Sequence, residues 1–434
     1  MARVVVVGGG IGGTASAARL AKLGHQVTLV EQSDRLGGAL GFLEQDGFRW
    51  DTGPTSTALP AVVRDLFRKS GRPLERELEL VPVEPMREHR FEDGTTLAMP
   101  SGSRSAQLEA VDAALGDGLG RQWVDYVHSF AEPWDVLRRC YFERPWSADH
   151  ADAEAKALLG TRRTLHKAVQ KTFKDERLQR LALSHALLDG QDPRNVPHWM
   201  GLLDYVEQNF GSWTVPGGMG ALAGAMTKRL TERKVDVLLG TTVRDVVLRE
   251  GRPAAVATDA GEVDADLVVC AVDPRRLPVL AEHVRKTMPA LPPVMSHLGL
   301  VGDVPDLPHE VVLHGEPTIV VRTNGTAPAG GAAWTLLGRG RLSEDILTAL
   351  ARRKIDVREN VEVRIDRSAR DQVVAWGGSP YGVAWQGRAT VGQKLGTTTP
   401  VAGILCAGVH VAAWSGLPFA ALTAANVAEV VGKA

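Results

Sequence analysis

At the start of the chain, two short apolar runs flank a stretch of small and apolar residues. Residues 3–7 form a continuous β-branched run that ends at Gly8, and residues 12–23 carry Ala, Leu and small side chains before Gly24. Residues 27–30 form a second apolar run. Apolar runs of this length indicate buried strands, and the small-residue stretch between them is typical of a helix, so the pattern predicts a βαβ unit.

Further strand patterns recur in the middle and at the end of the chain. Residues 234–248 alternate as a predicted strand pair around a Gly-Thr turn, and residues 263–272 form an apolar strand that ends before Asp273-Pro274. A last strand over residues 403–407 precedes a small-residue helix from about Phe419 to Val431. We expect these pieces to join the first βαβ unit in one discontinuous nucleotide-binding domain.

The intervening segments have a different character. Residues 105–215 look helical, whereas residues 294–338 look like short strands separated by Gly and Pro turns. Nine of the ten tryptophans follow residue 120, and we expect most in the core and a few at an apolar cavity. The predicted fold is α/β, with a Rossmann-like domain over 1–100, 214–285 and 377–434. A mixed α+β substrate domain is expected over 101–213 and 286–376.

Composition limits the class of partner. The chain has 434 residues, with 50 Lys and Arg against 51 Asp and Glu, so it lacks the cationic surplus of a nucleic-acid-binding protein. Its three cysteines form no CxxC pair, and we expect buried, reduced thiols in a cytoplasmic protein. We expect no secretory signal and no membrane span, with membrane contact at most peripheral. The expected partner is a small molecule, and the oligomeric state is left open.

A glycine-rich turn follows the first strand. Gly8, Gly10 and Gly13 fit G-x-G-x-x-G, with Gly12 between the last two, and the motif opens the first predicted helix. The turn lets backbone approach a pyrophosphate, and the helix N-terminus offers unpaired N–H groups. Glu31, directly after the second strand, can accept hydrogen bonds from a ribose diol.

Motifs of one kind recur in five parts of the chain. They are Val4 to Gly13 with Glu31, Arg35-Leu36-Gly37-Gly38 with Asp51-Thr52-Gly53-Pro54-Thr55, Trp213 to Met219 with the strand around Val243, Gly377 to Gly382, and Gly403 to Gly408 with His410 and Gly416-Leu417-Pro418. Together they resemble the motifs of phytoene-desaturase-like flavoproteins, within the wider amine-oxidase superfamily. The resemblance implies an FAD-binding domain.

The resemblance also implies a role for each matched residue. The pyrophosphate would lie against the glycine turn and against Gly37 and Gly38, the adenosine ribose at Glu31, and adenine at the Val243 main chain. Gly53, Pro54, Thr55, Gly416, Leu417 and Pro418 would face the isoalloxazine ring, with Gly408 and Val409 in the C-terminal flavin motif. Two positions depart from the family pattern. Ala39 replaces the usual Arg, a role that Arg35 would have to take, and Val409 replaces an acid.

The residue that handles the proton is left open. Hydride transfer to flavin N5 leaves a substrate cation that loses a proton to a weak base or to water. His410 and Tyr381 are the candidates, because both lie in segments that the resemblance brings near the flavin; structural roles for both are the alternative. His185, His198 and His297 show no H-x-x-x-H spacing and no carboxylate partners in sequence, so no metal site is predicted.

The leading hypothesis is a FAD-dependent oxidoreductase that desaturates an apolar or amphipathic small molecule, such as an isoprenoid or another biosynthetic intermediate. An FAD-dependent amine oxidase is the first alternative, and a flavin-dependent isomerase without net redox change is the second. A non-catalytic lipid carrier of the same fold is the third.

Overall fold

A computed structural model describes residues 1–146 and 151–434. The described strands are, in chain order, β1 Arg3–Val7, β2 Gln26–Val30, β3 Phe42–Gln45, β4 Phe48–Asp51, β5 Val81–Pro82, β6 Arg87–Arg90, β7 Thr96–Met99, β8 Trp213–Thr214, β9 Asp236–Leu238, β10 Val243–Arg249, β11 Arg252–Thr258, β12 Gly261–Asp264, β13 Leu267–Cys270, β14 Met288–Pro289, β15 Val294–Val301, β16 Glu310–Leu313, β17 Thr318–Arg322, β18 Gly331–Arg339, β19 Val361–Arg367, β20 Val383–Ala384 and β21 Ile404–Cys406.

The described part of the chain contains fifteen α-helices. They are α1 Ile11–Lys22, α2 Pro60–Ser70, α3 Arg104–Leu115, α4 Leu119–His128, α5 Ala131–Leu137, α6 Ala153–Leu159, α7 Leu165–Thr172, α8 Glu176–Leu188, α9 Leu202–Phe210, α10 Ala221–Glu232, α11 Pro278–Ala281, α12 Ile346–Arg352, α13 Ala369–Ala375, α14 Thr390–Gln393 and α15 Leu417–Val431. None of these helices is long and apolar enough to cross a bilayer.

A five-stranded parallel sheet in the order β21-β13-β1-β2-β9 forms the first domain. Val4 to Val7 of β1 are buried, as expected for a central strand covered on both faces. Helices α2, α10 and α15 pack against α1 on one face. The strands end together at Val7, Val30, Cys270 and Cys406, at the sheet edge where α/β folds bind ligands.

A seven-stranded sheet in the order β19-β15-β18-β17-β16-β6-β7 forms the second domain. All its pairs are antiparallel except β16 with β6. Residues 87–99, which the sequence assigns to the cofactor domain, therefore pair with strands of the substrate domain. The hairpin β3–β4 also reaches this sheet, where Trp50 Nε1 donates to the Leu298 carbonyl at 3.0 Å. The exact domain bounds stay a prediction, whereas the predicted fold class is confirmed.

The helices α3 to α9 enclose the main aromatic core. Trp123, Trp134 and Trp199 are all buried there, and the indole of Trp199 meets that of Trp385 edge to face. Trp123, Trp134 and Trp199 are thus core residues, as expected for most tryptophans, whereas Trp146 and Trp213 are only partly buried. Those that line the main cavity are Trp376 and Trp414, outside the helical segment.

Two strand predictions were wrong in detail. Residues 234–248 form two strands, but these do not pair with each other: β9 joins the parallel sheet beside β2, and β10 pairs with β11. Residues 263–272 form two strands because the chain turns at Ala265 and Asp266, where the Arg3 side chain and main-chain N–H bind the Asp266 carboxylate. The pattern of hydrophobic residues does not reveal a polar contact of this kind, so the break between the two strands could not be predicted from it.

Candidate active site

A cavity of about 590 Å³ opens at the carboxyl edge of the parallel sheet. It brings together chain segments that are hundreds of residues apart. Among the predicted site residues, those that line it are Gly8, Gly10, Gly12, Glu31, Arg35, Gly37, Gly38, Gly53, Pro54, Thr55, Val243, Tyr381, Gly408, Val409, His410, Gly416, Leu417 and Pro418. Gly13 lies just behind the cavity wall, where a Cβ would collide with the Gly8 carbonyl.

Glycines hold the first and last of these segments in contact. A Cβ on Gly12 would lie 2.6 Å from both the Cα and the N atom of Gly408, so only glycine permits this approach. A Cβ on Gly10, in contrast, would meet no atom within 4 Å among the described residues. Helix α1 starts there with no side-chain cap and no acidic residue in its first turn. Its amides and its dipole therefore face a space suited to an anionic group.

Glu31 is buried and anchored by the loops around it. Its Oε2 accepts from the Gly9 main-chain N–H at 2.6 Å, and its Oε1 accepts from the N–H and the hydroxyl of Ser33, both at 2.8 Å. Oε2 can accept one further bond, whereas both lone pairs of Oε1 are already used. The residue thus fixes the shape of the loop and still faces the cavity.

Arg35, Arg276 and Arg367 all line the cavity, and Arg35 is close enough to Arg367 to affect its charge. Of these, the sequence motifs singled out Arg35 but missed Arg276 and Arg367. None of the three has a carboxylate within salt-bridge distance among residues 1–146 and 151–434. Burial and the neighbouring Arg35 lower the pKa of Arg367. Unbalanced positive charge beside a helix N-terminus fits a bound pyrophosphate and offers the contact that Ala39 lacks.

The Asp-Thr-Gly-Pro-Thr segment is held in place by the turn at 213–220. Asp51 accepts from the N–H groups of Met219 and Gly220 at 3.0 and 2.8 Å, and burial raises its pKa. Thr214 Oγ1 donates to the Thr55 carbonyl at 2.8 Å. The buried Oγ1 of Thr55 has no hydrogen-bond partner in the described part of the chain, although the residue lines the cavity. An unpartnered buried hydroxyl of this kind is consistent with a polar ligand.

His410 lines the cavity next to Asp273, which follows the end of β13. Its Nδ1 is 3.9 Å from Asp273 Oδ2, and a Cβ on Gly378 would lie 2.8 Å from its Nε2. Burial lowers the pKa of His410, an effect that Asp273 opposes and Arg275 reinforces. The ring is therefore neutral at neutral pH and able to accept a proton.

Tyr381 also lines the cavity, in a segment whose glycines pack against Val409 and His410. The guanidinium of Arg339 stacks 4.6 Å from the centroid of its ring. Its N–H donates to Ser379 Oγ at 3.2 Å, which fixes the local turn. The structure thus places both predicted proton acceptors in the lining of one cavity.

A set of charged side chains in the second domain was missed by the sequence. It consists of Arg322, Glu310, Arg87, Glu207 and His185, in which positive and negative groups alternate; we call it the ionic chain. Successive groups are 2.9, 2.6, 3.3 and 3.2 Å apart. All five residues line the cavity. At one end, Arg322 Nη1 donates to the Gly53 carbonyl at 3.1 Å, in the segment predicted to face the flavin ring.

The ionic chain shifts the pKa values of its members. Burial disfavours every charge, but Arg87 and His185 outweigh it and lower the pKa of Glu207 to about 2. Against the same burial, Glu207 and Asp204 raise the pKa of His185 to about 9. Burial raises the pKa of Asp204, 3.5 Å from His185, to about 7. The expectation that His185 lacks carboxylate partners was therefore wrong, because they come from α9.

Asp189 and Ser415 lie at the other end of this wall. Ser415 Oγ donates to Asp189 Oδ2 at 2.5 Å, and burial raises the pKa of the Asp189 carboxyl. Ser415 directly precedes the Gly-Leu-Pro segment that starts α15. Partners 226 residues apart leave no local pattern, so a sequence scan can recover such a pair only when homologues show covariation.

Comparison with protein families decides the class. Residues 11–300 match the model of the flavin containing amine oxidoreductase family, which is more than half of the chain. The chain belongs to this family. The predicted cofactor, FAD, is thereby confirmed, and it agrees with the open space at Gly10, the uncapped helix and the three arginines.

Individual relatives agree with the predicted branch of the family. The chain is 28% identical over 324 residues to a 4,4'-diapolycopene oxygenase of Methylomonas sp, a match that covers 71% of this chain and 64% of the relative. It is 31% identical over 328 residues to a phytoene dehydrogenase of Streptomyces griseus, covering 72% and 63%. The matches thus span just under two thirds of each relative's length.

Solved structures show the same fold over the whole chain. A variant of putrescine oxidase has a TM-score of 0.74 at 17% identity, covering 100% of this chain and 99% of that one. The cyclohexylamine oxidase of Brevibacterium oxydans has a TM-score of 0.67 at 17% identity, with 99% of each chain covered. At such identities, the likeness concerns the fold alone.

Proposed function

We propose that this protein is an FAD-dependent oxidoreductase that desaturates a small apolar or amphipathic molecule. The observation that carries the proposal is a single cavity that joins the glycine loop, the segments at 53–55 and 416–418, and side chains of the second domain. Relatives named as carotenoid desaturases and dehydrogenases support the same reaction class. We propose further that the protein acts in the cytoplasm on a free small molecule.

The residues that would hold FAD divide along the cavity. Gly8, Gly10, Gly12, Gly13, Gly37 and Gly38 would approach the pyrophosphate, with Arg35 and Arg367 supplying positive charge. The remaining contacts follow the resemblance: Glu31 at the ribose, Val243 at adenine, Gly408 and Val409 at the ribityl chain, and Gly53, Pro54, Thr55, Gly416, Leu417 and Pro418 at the ring. When bound, FAD accepts a hydride at N5 and so supplies the two-electron oxidation.

Main-chain N–H groups at the start of α15 would stabilise negative charge that develops in the cavity. Helix α15 starts at Leu417 with no side-chain cap, so its first amides and the positive end of its dipole face the cavity. Donors placed before the reaction stabilise negative charge that develops there without costly reorganisation.

The proton of the desaturation would be taken up by His410 or Tyr381, as proposed from the resemblance. The structure adds Asp189, whose raised pKa makes it a stronger proton acceptor than an exposed aspartate. His185 is the least suited, because a pKa of about 9 keeps it protonated at neutral pH.

The test is anaerobic reduction of the purified holoenzyme by candidate substrates. Bleaching of the flavin band, with a product lighter than the substrate by two hydrogens, is the expected result. Bleaching by amines with peroxide release in air would instead identify an amine oxidase. A product of unchanged mass would identify an isomerase, and a protein that binds isoprenoids but never bleaches would act as a carrier.

A further inference from the structure

A single side chain of the second domain binds the middle of the segment that is predicted to face the flavin ring. Arg322 is the last residue of β17, and its Nη1 donates to the Gly53 carbonyl at 3.1 Å. No other group in residues 1–146 and 151–434 donates to this carbonyl. Because Pro54 has no N–H, the carbonyl is the only hydrogen-bonding group of the Gly53–Pro54 peptide. The position of that peptide therefore depends on Arg322.

The two ends of the same segment are held by other groups. Asp51 accepts from the main-chain N–H groups of residues 219–220 and from Asn324 Nδ2, the latter at 2.8 Å. The Thr55 carbonyl accepts from Thr214 Oγ1 at 2.8 Å. Loss of the arginine bond would consequently free the middle of the segment and leave its ends in place.

The guanidinium of Arg322 is itself fixed by a second bond. Its Nε donates to Glu310 Oε2 at 2.9 Å, and Glu310 Oε1 accepts from Arg87 at 2.6 Å. The side chains of Arg322 and Glu310 are only 19% and 8% exposed. A planar guanidinium can donate to a carboxylate and to a carbonyl at once, whereas lysine carries a single nitrogen on a flexible stem. Lysine at this position could keep the ion pair with Glu310 but not both bonds.

The bond to Gly53 matters more for a bound flavin than the charge of Arg322 does. Glu310, 2.9 Å from the guanidinium, offsets much of that charge. The Gly53 carbonyl oxygen is the negative end of a peptide dipole, and reduction of a flavin adds negative charge to its ring. A free carbonyl beside the ring would oppose this charge, and a carbonyl already bound to a guanidinium opposes it less.

We propose that Arg322 is a positioning residue for the bound flavin: through the Gly53 carbonyl, it fixes the segment beside the ring and keeps that carbonyl from opposing the negative charge of the reduced cofactor. The proposal rests on the proposed function, because it takes Gly53, Pro54 and Thr55 to face the ring. The buried Thr55 hydroxyl, which has no partner within the described residues, supports that placement.

The test measures the reduction potential of FAD in the holoenzyme, by anaerobic equilibration with dyes of known potential. Arg322→Met should make the two-electron reduction of FAD about tenfold less favourable or more, and tenfold is about 30 mV for a two-electron couple. Arg322→Lys should also lower the potential, because it keeps the ion pair with Glu310 without the bond to Gly53. A wild-type potential in either variant overturns the proposal. If Arg322→Met fails to retain FAD, Arg322→Lys decides alone.

Arg353→Met is the matched control. Arg353 belongs to the same domain, and its Nη1 donates to the His314 carbonyl at 2.7 Å, but neither residue lines the cavity. The variant loses an arginine-to-carbonyl bond of the same kind and should keep the wild-type potential and FAD content. An equal fall of the potential in this variant would show a general effect on the fold and would overturn the proposal.

Flavin bleaching by substrates separates this proposal from the proposed function. If the Arg322 variants keep the wild-type potential while isoprenoids bleach the flavin and lose two hydrogens, only the positioning role is overturned. If the potential falls in both variants but no candidate substrate bleaches the wild-type flavin, only the proposed function is contradicted.

Discussion

A single methyl group at Gly10 tests whether the glycine loop binds the cofactor or only forms a turn. The Gly10 backbone has φ −69° and ψ 179°, which alanine adopts without strain. Its Cβ would meet no atom within 4 Å in the described chain and would enter the cavity. Gly10→Ala should therefore leave the stability of the cofactor-free fold unchanged or raise it by up to about 1 kcal/mol.

The same substitution, Gly10→Ala, should lower the affinity of the protein for FAD. The added methyl occupies space in which the pyrophosphate approaches the amides of α1, and overpacking of this kind costs about 1–3 kcal/mol. FAD should consequently bind about 10- to 100-fold more weakly. The assay is fluorimetric titration of the cofactor-free protein with FAD, combined with urea unfolding of the same preparation.

Two further glycines provide matched controls. Gly12→Ala would force a Cβ to 2.6 Å from Gly408 main-chain atoms, so it should lower stability by about 1–3 kcal/mol and FAD affinity with it. Gly224→Ala, in helix α10 with no atom of the described residues within 4 Å of the new Cβ, should change neither adversely. Wild-type FAD affinity in the Gly10→Ala variant would refute the assignment of the loop to the pyrophosphate.

Three other predictions concern charged and polar groups of the cavity. Arg367→Met should weaken FAD binding about tenfold and reduce its salt dependence, as measured by titration at two ionic strengths; unchanged binding would place the pyrophosphate elsewhere. His185 has its pKa raised to about 9 from 6.5, so its ion pairs stabilise the fold fully below pH 6.5 and are lost as pH rises through about 9. Urea unfolding should show a fall of up to about 3 kcal/mol over this range in wild type but not in His185→Gln. Finally, stopped-flow bleaching should be about 100-fold slower in either His410→Asn or Tyr381→Phe, whichever removes the proton acceptor; normal rates in both would leave Asp189 as the candidate.

The parallel sheet was predictable because its signals are local. An unbroken valine run, a glycine turn and a small-residue helix recur in the order that a βαβ unit requires, and Val4 to Gly13 folds accordingly. The C-terminal strand and helix are equally regular. All site residues predicted from the family-like motifs except Gly13 line the cavity, since backbone contacts depend on glycines and turns that a sequence displays.

The substrate side could not be predicted in the same way. The ionic chain joins Arg87 on β6, Glu207 on α9 and Glu310 on β16, so its members become neighbours only when the seven-stranded sheet forms. Charged residues in strands and helices usually face solvent. The sequence spacing of Arg87, Glu207 and Glu310 does not distinguish them from such surface residues. The pairing of β6 with β16 is parallel and needs a long connection, which leaves no local trace.

The most direct test of the central claim, that distant segments of the chain meet on one FAD, is the absorption spectrum of the purified protein with mass identification of the released cofactor. The account predicts flavin bands and one molecule of FAD per chain, with a lower FAD content in the Gly10→Ala and Gly12→Ala variants. A colourless protein that does not take up added FAD, or variants that retain it fully, would contradict the account.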